Sequence, residues 1–253
     1  MTVRTYQIRI QDDEYAARLG KLVDYMEQSD VTGLILFNSD YIFYYTGFKF
    51  IPTERPIAFV ANKKGETGLF VPRLEKEHAE ANALVDRVAY YIEYPDIPHP
   101  SEKFHQMLKE MDISGDVLAD SDGYPWIFGY RGPALSENGF TVQSPRAFIE
   151  DQMTIKSEAE IRLLQESAKW ANLAHMLLQR YTVVGATETS VQQRACDEAT
   201  LAMMDAIGPI YRSQSSYTGA FAGYRGQIGR NASIPHALGN NIVFQKGDVL
   251  VTG

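Results

Sequence analysis

His236 stands in Asn231-Ala-Ser-Ile-Pro-His-Ala237, immediately after a proline. Pro235 fixes its own φ and biases Ile234 toward extended structure, so the imidazole projects from a stiff turn. An imidazole titrates near neutrality, and one held this way could bind a substrate carbonyl or leaving group, or move a proton. The other four histidines lack such a setting. His78 lies in the charged Glu75-Lys-Glu-His-Ala-Glu80, which reads as a solvated helix face, and His99 lies between two prolines, as in a surface turn. His105 and His175 fall in helical stretches without partners at metal-ligand spacing. Gly223-Tyr-Arg-Gly-Gln-Ile-Gly-Arg230 leads into the His236 turn, but it lacks the Lys-Ser/Thr ending and the preceding strand of a phosphate loop. Arg225 or Arg230 is there either as a solvated loop residue or as a holder of a substrate carboxylate. Cys196, in Arg194-Ala-Cys-Asp-Glu-Ala199, reads as a small packed side chain; as the only cysteine it excludes an internal disulfide and a cysteine-based zinc cage. There is no Gly-x-Ser-x-Gly elbow and no His-Glu-x-x-His pair.

Two kinds of sequence must position these residues. In the first half, strand and helix patterns alternate, which predicts an α/β layer architecture. Asp12 to Gln28 carries Tyr15, Leu19, Leu22, Val23 and Met26 at helical spacing behind an acidic first turn. Gly33 to Phe37 predicts a buried strand, and Tyr41 to Gly47 is a second aromatic segment. Pro56 to Val60 and Gly68 to Val71 flank a turn-rich connector and predict a hairpin. A helix over about Arg73 to Leu84, a strand over about Val88 to Tyr94 and a helix over about Ser101 to Met111 follow. Asp116 to Ala119 and Phe140 to Val142 predict further strands. Beyond Ser144-Pro145 the pattern changes. Ser157 and Glu160 have capping-box spacing, opening a long helix with Ile161, Leu164, Ala168, Ala171 and Leu178 on one face. Gly185-Ala-Thr-Glu188 breaks it, and a second helix runs from about Thr189 to Ala206. Past His236, a Lys246-Gly-Asp turn leads into an apolar strand, Val249 to Val251.

The bulk composition narrows the classes. With 45% hydrophobic residues, 22% charged and a mean hydropathy of −0.25, 253 residues are enough for a substantial core in one large or two modest domains. A formal charge of −8 argues against broad nucleic-acid binding, which needs a basic surface. The N-terminal residues lack the apolar stretch of a secretory signal, and no run approaches the ~20 apolar residues of a membrane helix. The expectation is a cytoplasmic protein with neither nucleic-acid nor membrane partners.

Several segments resemble one superfamily. Asn231 to Val251 resembles the histidine-to-strand segment of the pita-bread hydrolases, which include aminopeptidase P, prolidase, methionine aminopeptidase and creatinase. Its Asn-Ala-Ser-Ile-Pro-His-Ala is most similar to the aminopeptidase P/prolidase version. Met153-Thr-Ile-Lys-Ser-Glu-Ala-Glu-Ile161 resembles the junction where these proteins enter their catalytic domain, and Tyr44-Tyr-Thr-Gly-Phe48 resembles part of the creatinase/prolidase N-terminal domain. The resemblance implies an α/β fold: a mixed-sheet N-terminal domain over 1–150, then an incomplete pita-bread α+β catalytic domain over 153–253, truncated before the metal ligands. It implies His236 as an active-site group and a substrate contact from Arg55, reaching an anionic substrate in a neighbouring protomer; Arg230, from the loop before the turn, is the further candidate for substrate binding. A divalent metal (Mn, Co or Zn) is implied for the parent enzyme, its first carboxylate falling six residues after Gly247, where Gly253 stands; no metal ligand is identified in this chain. The activity implied is an Xaa-Pro peptidase cleaving an amide next to proline. A metal-free, creatinase-like C–N (amidino) hydrolase and a non-catalytic fragment or dimerisation module are the alternatives. A small peptide or guanidino/amide substrate and a homodimer follow, and this chain alone is expected to be inactive.

Overall fold

The computed structural model describes residues 8–93, 99–125, 132–208 and 219–252. Ile10–Lys156 form one compact unit and Ser157–Gly253 belong to a second. The first unit carries the sheet. Its strands are β1 (Gly33–Leu36), β2 (Ala58–Asn62), β3 (Thr67–Pro72), β4 (Arg87–Tyr91), β5 (Asp116–Ala119) and β6 (Thr141–Gln143), in spatial order β4-β3-β2-β1-β5-β6. β1, β2 and β3 pair antiparallel, whereas β3–β4, β1–β5 and β5–β6 are parallel, so the expected mixed α/β sheet is present. The 56–71 hairpin forms as read, with Asn62 paired to Gly33 of β1 and Ala61 to Thr67 of β3.

The central strands are apolar throughout because both of their faces are covered. Alternation sends Leu34, Leu36, Phe59, Leu69 and Leu118 to one side. There they meet Leu22 and Met26 of α1 (Asp12–Gln28), Ile42 and Tyr45 of α2 (Ser39–Thr46), and Ala79 of α3 (Lys76–Asn82). Ile35, Val60, Phe70 and Val117 point to the other side, against Phe104, Met107 and Leu108 of α4 (Pro100–Glu110). Complete burial of each such side chain contributes about 1.5–3 kcal/mol. The aromatic segment at 41–47 is a helix. Asn38 caps α2 by accepting from the Asp40 and Tyr41 amides, and Gly47 closes it at φ +70°, against the Tyr15 ring. α5 (Arg146–Thr154) completes this unit and buries Ile149 on the α1/α2 side.

The second unit begins at α6 (Glu158–Tyr181), whose capping box is formed as read: Ser157 Oγ accepts from the Glu160 amide at 3.1 Å and Glu160 accepts from the Ser157 amide at 2.8 Å. α7 (Glu188–Ile207) packs against it through Val191, Ala195 and Ala199. The buried face of α6 differs from the expected one. It runs through Trp170, Ala174, Leu177 and Leu178, while Ile161, Leu164 and Ala168 are exposed. Counting back from Trp170 in helical steps reaches Glu166, a polar position that an apolar stripe would not include. Its carboxylate takes the Trp170 Nε1–H at 2.7 Å, which satisfies the indole. A second correction concerns Val249 to Val251. No strand forms there, only an isolated bridge between Leu250 and Ile228. Two hydrogen bonds, Gly229 N to Val249 O and Val251 N to Gln227 O, hold the segment, too few for a ladder. The part of the expected fourth strand at Tyr94, and Gly253, lie outside the described residues. No described helix is long and apolar enough to cross a membrane.

Candidate functional site

The loops of 219–252 lie over the α6/α7 pair. Ala222, Tyr224, Ile228 and Phe244 insert between apolar residues of both helices, and the Tyr224 and Phe244 rings meet edge to face at 5.4 Å. This anchoring leaves the polar residues between them at the surface. Ile234 to Ala237 form a turn closed by the Ala237 amide on Ile234 O, with Pro235 at its second position and His236 at its third. His236 has φ +56°, and is exposed. Proline followed by a positive φ is the type II arrangement, in which glycine is the usual third residue. A histidine there carries strain on the order of 1–3 kcal/mol. Gln227 steadies the turn by donating from Nε2 to Ile234 O at 3.3 Å.

The support beneath the turn is Glu188, only 3% exposed. Its Oε1 accepts from the Gly226 amide at 2.5 Å and its Oε2 from the Asn240 amide at 3.4 Å. One buried carboxylate thus ties together the two backbone segments on either side of His236. Gly226 must be glycine: φ is +75°, and a Cβ would lie 2.1 Å from Leu238 O. Thr189 N donates to Asn241 Oδ1, fixing the next residue along. Nothing in the local sequence marks Glu188 as buried. An acidic residue one position after Thr187 looks like an ordinary first-turn charge facing water, and the loops that cover it come about forty residues later.

Arg230 is exposed in a single 3-10 turn, Gly229–Asn231, and enters the same loop cluster as His236. Arg225 is exposed on the preceding turn at φ +51°. Arg55 belongs to the other unit. It is half-buried, with its guanidinium 2.9 Å from Glu54 and 3.7 Å from Glu93, so its charge is already compensated. The Lys246-Gly247 turn is present, with Gly247 at φ +95°. Asp248 closes it by accepting from the Gln245 amide at 2.8 Å, which commits that carboxylate to the turn. Among the described residues no three His, Cys, Asp or Glu side chains come together as a cation would require, so these residues do not fit the divalent metal that the resemblance implies. Cys196 packs as read: its Sγ lies against the Ala222 backbone, and burial raises the thiol's pKa. His105 lies in a helix, α4, as read, whereas His99 departs from its reading as a surface turn: it caps α4 by accepting from the Ser101 amide at 3.1 Å, and both rings line one cavity.

Comparison with known proteins gives this geometry a context. Residues 18–118 match the Creatinase/Prolidase N-terminal domain. An uncharacterized peptidase of Staphylococcus aureus is 23% identical over 174 residues, covering 69% of this chain and 47% of the relative. The chain thus spans about half the length of the curated relatives it matches. Among solved structures, the dipeptidase PepE from Mycobacterium ulcerans superposes with a TM-score of 0.72 at 19% identity, over 96% of this chain and 61% of that one. The prolidase from Pyrococcus furiosus gives 0.64 at 17% identity, over 92% and 64%. Residues 18–118 thus match a creatinase/prolidase N-terminal domain, and the chain as a whole shares the fold of these dipeptidase and prolidase structures.

Proposed function

We propose that this chain serves a hydrolase of the Xaa-Pro peptidase type, cleaving the amide bond next to proline, with His236 at the substrate. The observation that carries the reading is the His236 turn. A residue kept at positive φ on an exposed, proline-stiffened turn, with a buried carboxylate fastening both flanks, supports a role in ligand contact over one in packing. The peptidase and dipeptidase names of the relatives agree with it. In this reading His236 binds the scissile carbonyl or carries a proton to the leaving amine, and Arg230 holds the substrate carboxylate. Arg55 serves a neighbouring protomer only by exchanging Glu54 or Glu93 for substrate. The metal would have to be held by groups other than the described residues.

The test is turnover of Xaa-Pro dipeptides by the protein purified from its natural source, with creatine as a second substrate because Gly253 stands where the resemblance places the first carboxylate. His236→Ala should lower turnover ~10²–10⁴-fold, the usual range for a positioned acid/base group, with little change in stability. Dipeptide turnover unaffected by the substitution would remove His236 from the site; activity on neither substrate would overturn the assignment. The same reading makes the protein a cytoplasmic homodimer. Val249, at 63% exposure, and Leu238, at 86%, are apolar surface suited to a subunit contact. Light scattering showing a monomer at tens of micromolar would contradict that.

A further inference from the structure

A cavity of about 250 Å³ lies wholly within the Ile10–Lys156 unit. It opens just past the carboxyl ends of the parallel pair β1 and β5, where Phe37 follows one strand and Ser121 to Tyr124 follow the other. The chain leaves these two strands toward opposite faces. After β1 it enters α2, which packs with Leu34 and Leu36; after β5 it runs through Tyr124 and Leu135, which pack on the α4 side. Adjacent parallel strands whose connections diverge in this way open a crevice, the usual place for a ligand on an open α/β sheet.

The walls indicate what would fit. Phe37, Phe70, Phe104 and Tyr124 supply aromatic surface and already meet one another at an angle: Phe37–Phe104 at 6.0 Å and 58°, Phe37–Tyr124 at 6.2 Å and 78°. Such tilted rings offer both faces and edges to another flat ring. His105 lines the cavity as well. Its Nδ1 lies 2.6 Å from the Ser101 carbonyl oxygen and donates there, while its Nε2 is buried without a hydrogen-bond partner. Size decides between ligand classes. An apolar cavity of about 150 Å³ holds benzene, whereas drug-sized sites start at about 300 Å³. We propose that this crevice binds a small flat aromatic molecule of one or two rings, at a site separate from the His236 turn.

The probe is indole, titrated into the intact chain and followed by NMR at the imidazole Cε1–H of His99 and His105. The expected result is a saturable shift of both signals with half-saturation at or below about 1 mM, reasonable for nine heavy atoms. Ala134→Phe, which pushes a ring into the cavity from a half-buried loop position, should weaken the effect at least tenfold. Cyclohexanol, of similar bulk but not aromatic, should bind at least tenfold more weakly than indole. Absent or non-saturable shifts, shifts that persist unchanged in Ala134→Phe, or equal binding of cyclohexanol would each overturn the proposal. If Ala134→Phe does not fold, intermolecular NOEs from indole to the Phe37 and Phe104 rings decide the same question, and their absence counts against the site.

Discussion

Removing the Glu188 carboxylate should loosen the candidate site from below without touching the surface that would meet substrate. Two backbone amides depend on it: Gly226, at 2.5 Å, and Asn240, at 3.4 Å. Hydrogen bonds to a charged acceptor contribute about 1.5–3 kcal/mol each, and the longer one counts for less. Glu188→Ala should therefore cost about 2–4 kcal/mol. Glu188→Gln keeps one acceptor oxygen and should cost about half as much. The hydrogen bond from the Glu188 amide to Ile242 O survives either change, so α7 keeps its start. Native-state amide exchange in α6 and α7 reads this unit separately from the sheet, and the urea midpoint of those amides should fall by about 1–3 M in Glu188→Ala. Protection of the Gly226 amide itself should drop first. If the helix amides lose less than about 0.5 kcal/mol and Gly226 exchanges as before, the carboxylate does not organise the turn, and the idea that His236 is held from beneath fails with it.

Other outcomes follow from single positions. Gly226→Ala combines a Cβ 2.1 Å from Leu238 O with φ +75°, and should destabilise the second unit by more than about 2 kcal/mol; a thermal midpoint within 2 °C or so of the parent would contradict this. Ser157→Ala removes the serine half of the α6 capping box and should cost about 0.5–2 kcal/mol, seen as faster amide exchange in the first turn and not at Trp170. Burial raises the Asp120 carboxyl above its ordinary 3.8, despite the Phe37 and Asn38 amides donating to it. A carboxyl that holds its proton more tightly when folded favours the native state fully below 3.8 and loses that contribution as pH rises through the folded value. A carboxyl ¹³C titration of Asp120 with its midpoint at or below 3.8 would refute the shift.

Local chemistry was readable from the chain alone wherever it was self-contained. Ser157 with Glu160, the Asn62 to Glu66 connector and the Lys246-Gly247 turn all formed as their residues implied, since each needs only partners within a few positions. The strands of the first unit were readable for a related reason: burial on both faces leaves uninterrupted apolar runs such as Gly33 to Leu36. The departures have other causes. The α6 face was misread because a Trp–Glu hydrogen bond makes a polar residue acceptable on the packed side. Val249 to Val251 has the residues of a strand but too few backbone partners to become one. In the site, the proline before His236 announced the turn, whereas Glu188 and the crevice beside His105 arise from segments that meet only after folding.

The strand order also has a consequence for how the chain is made. β1 is central in space yet early in sequence, and its parallel partner β5 begins at Asp116, 80 residues after Leu36. At synthesis rates of about 5–20 residues per second, β2 arrives within a few seconds to cover one edge of β1, while the other edge waits roughly 4–16 s. During that interval Gly33 to Leu36 presents unpaired amides and carbonyls beside apolar side chains, the combination that recruits foreign strands. Nascent chains arrested between Pro72 and Asp116 should therefore be the ones that chaperones hold or that aggregate, and those arrested beyond Gln143 should not. Equal chaperone occupancy at both arrest points would show that the open edge is harmless.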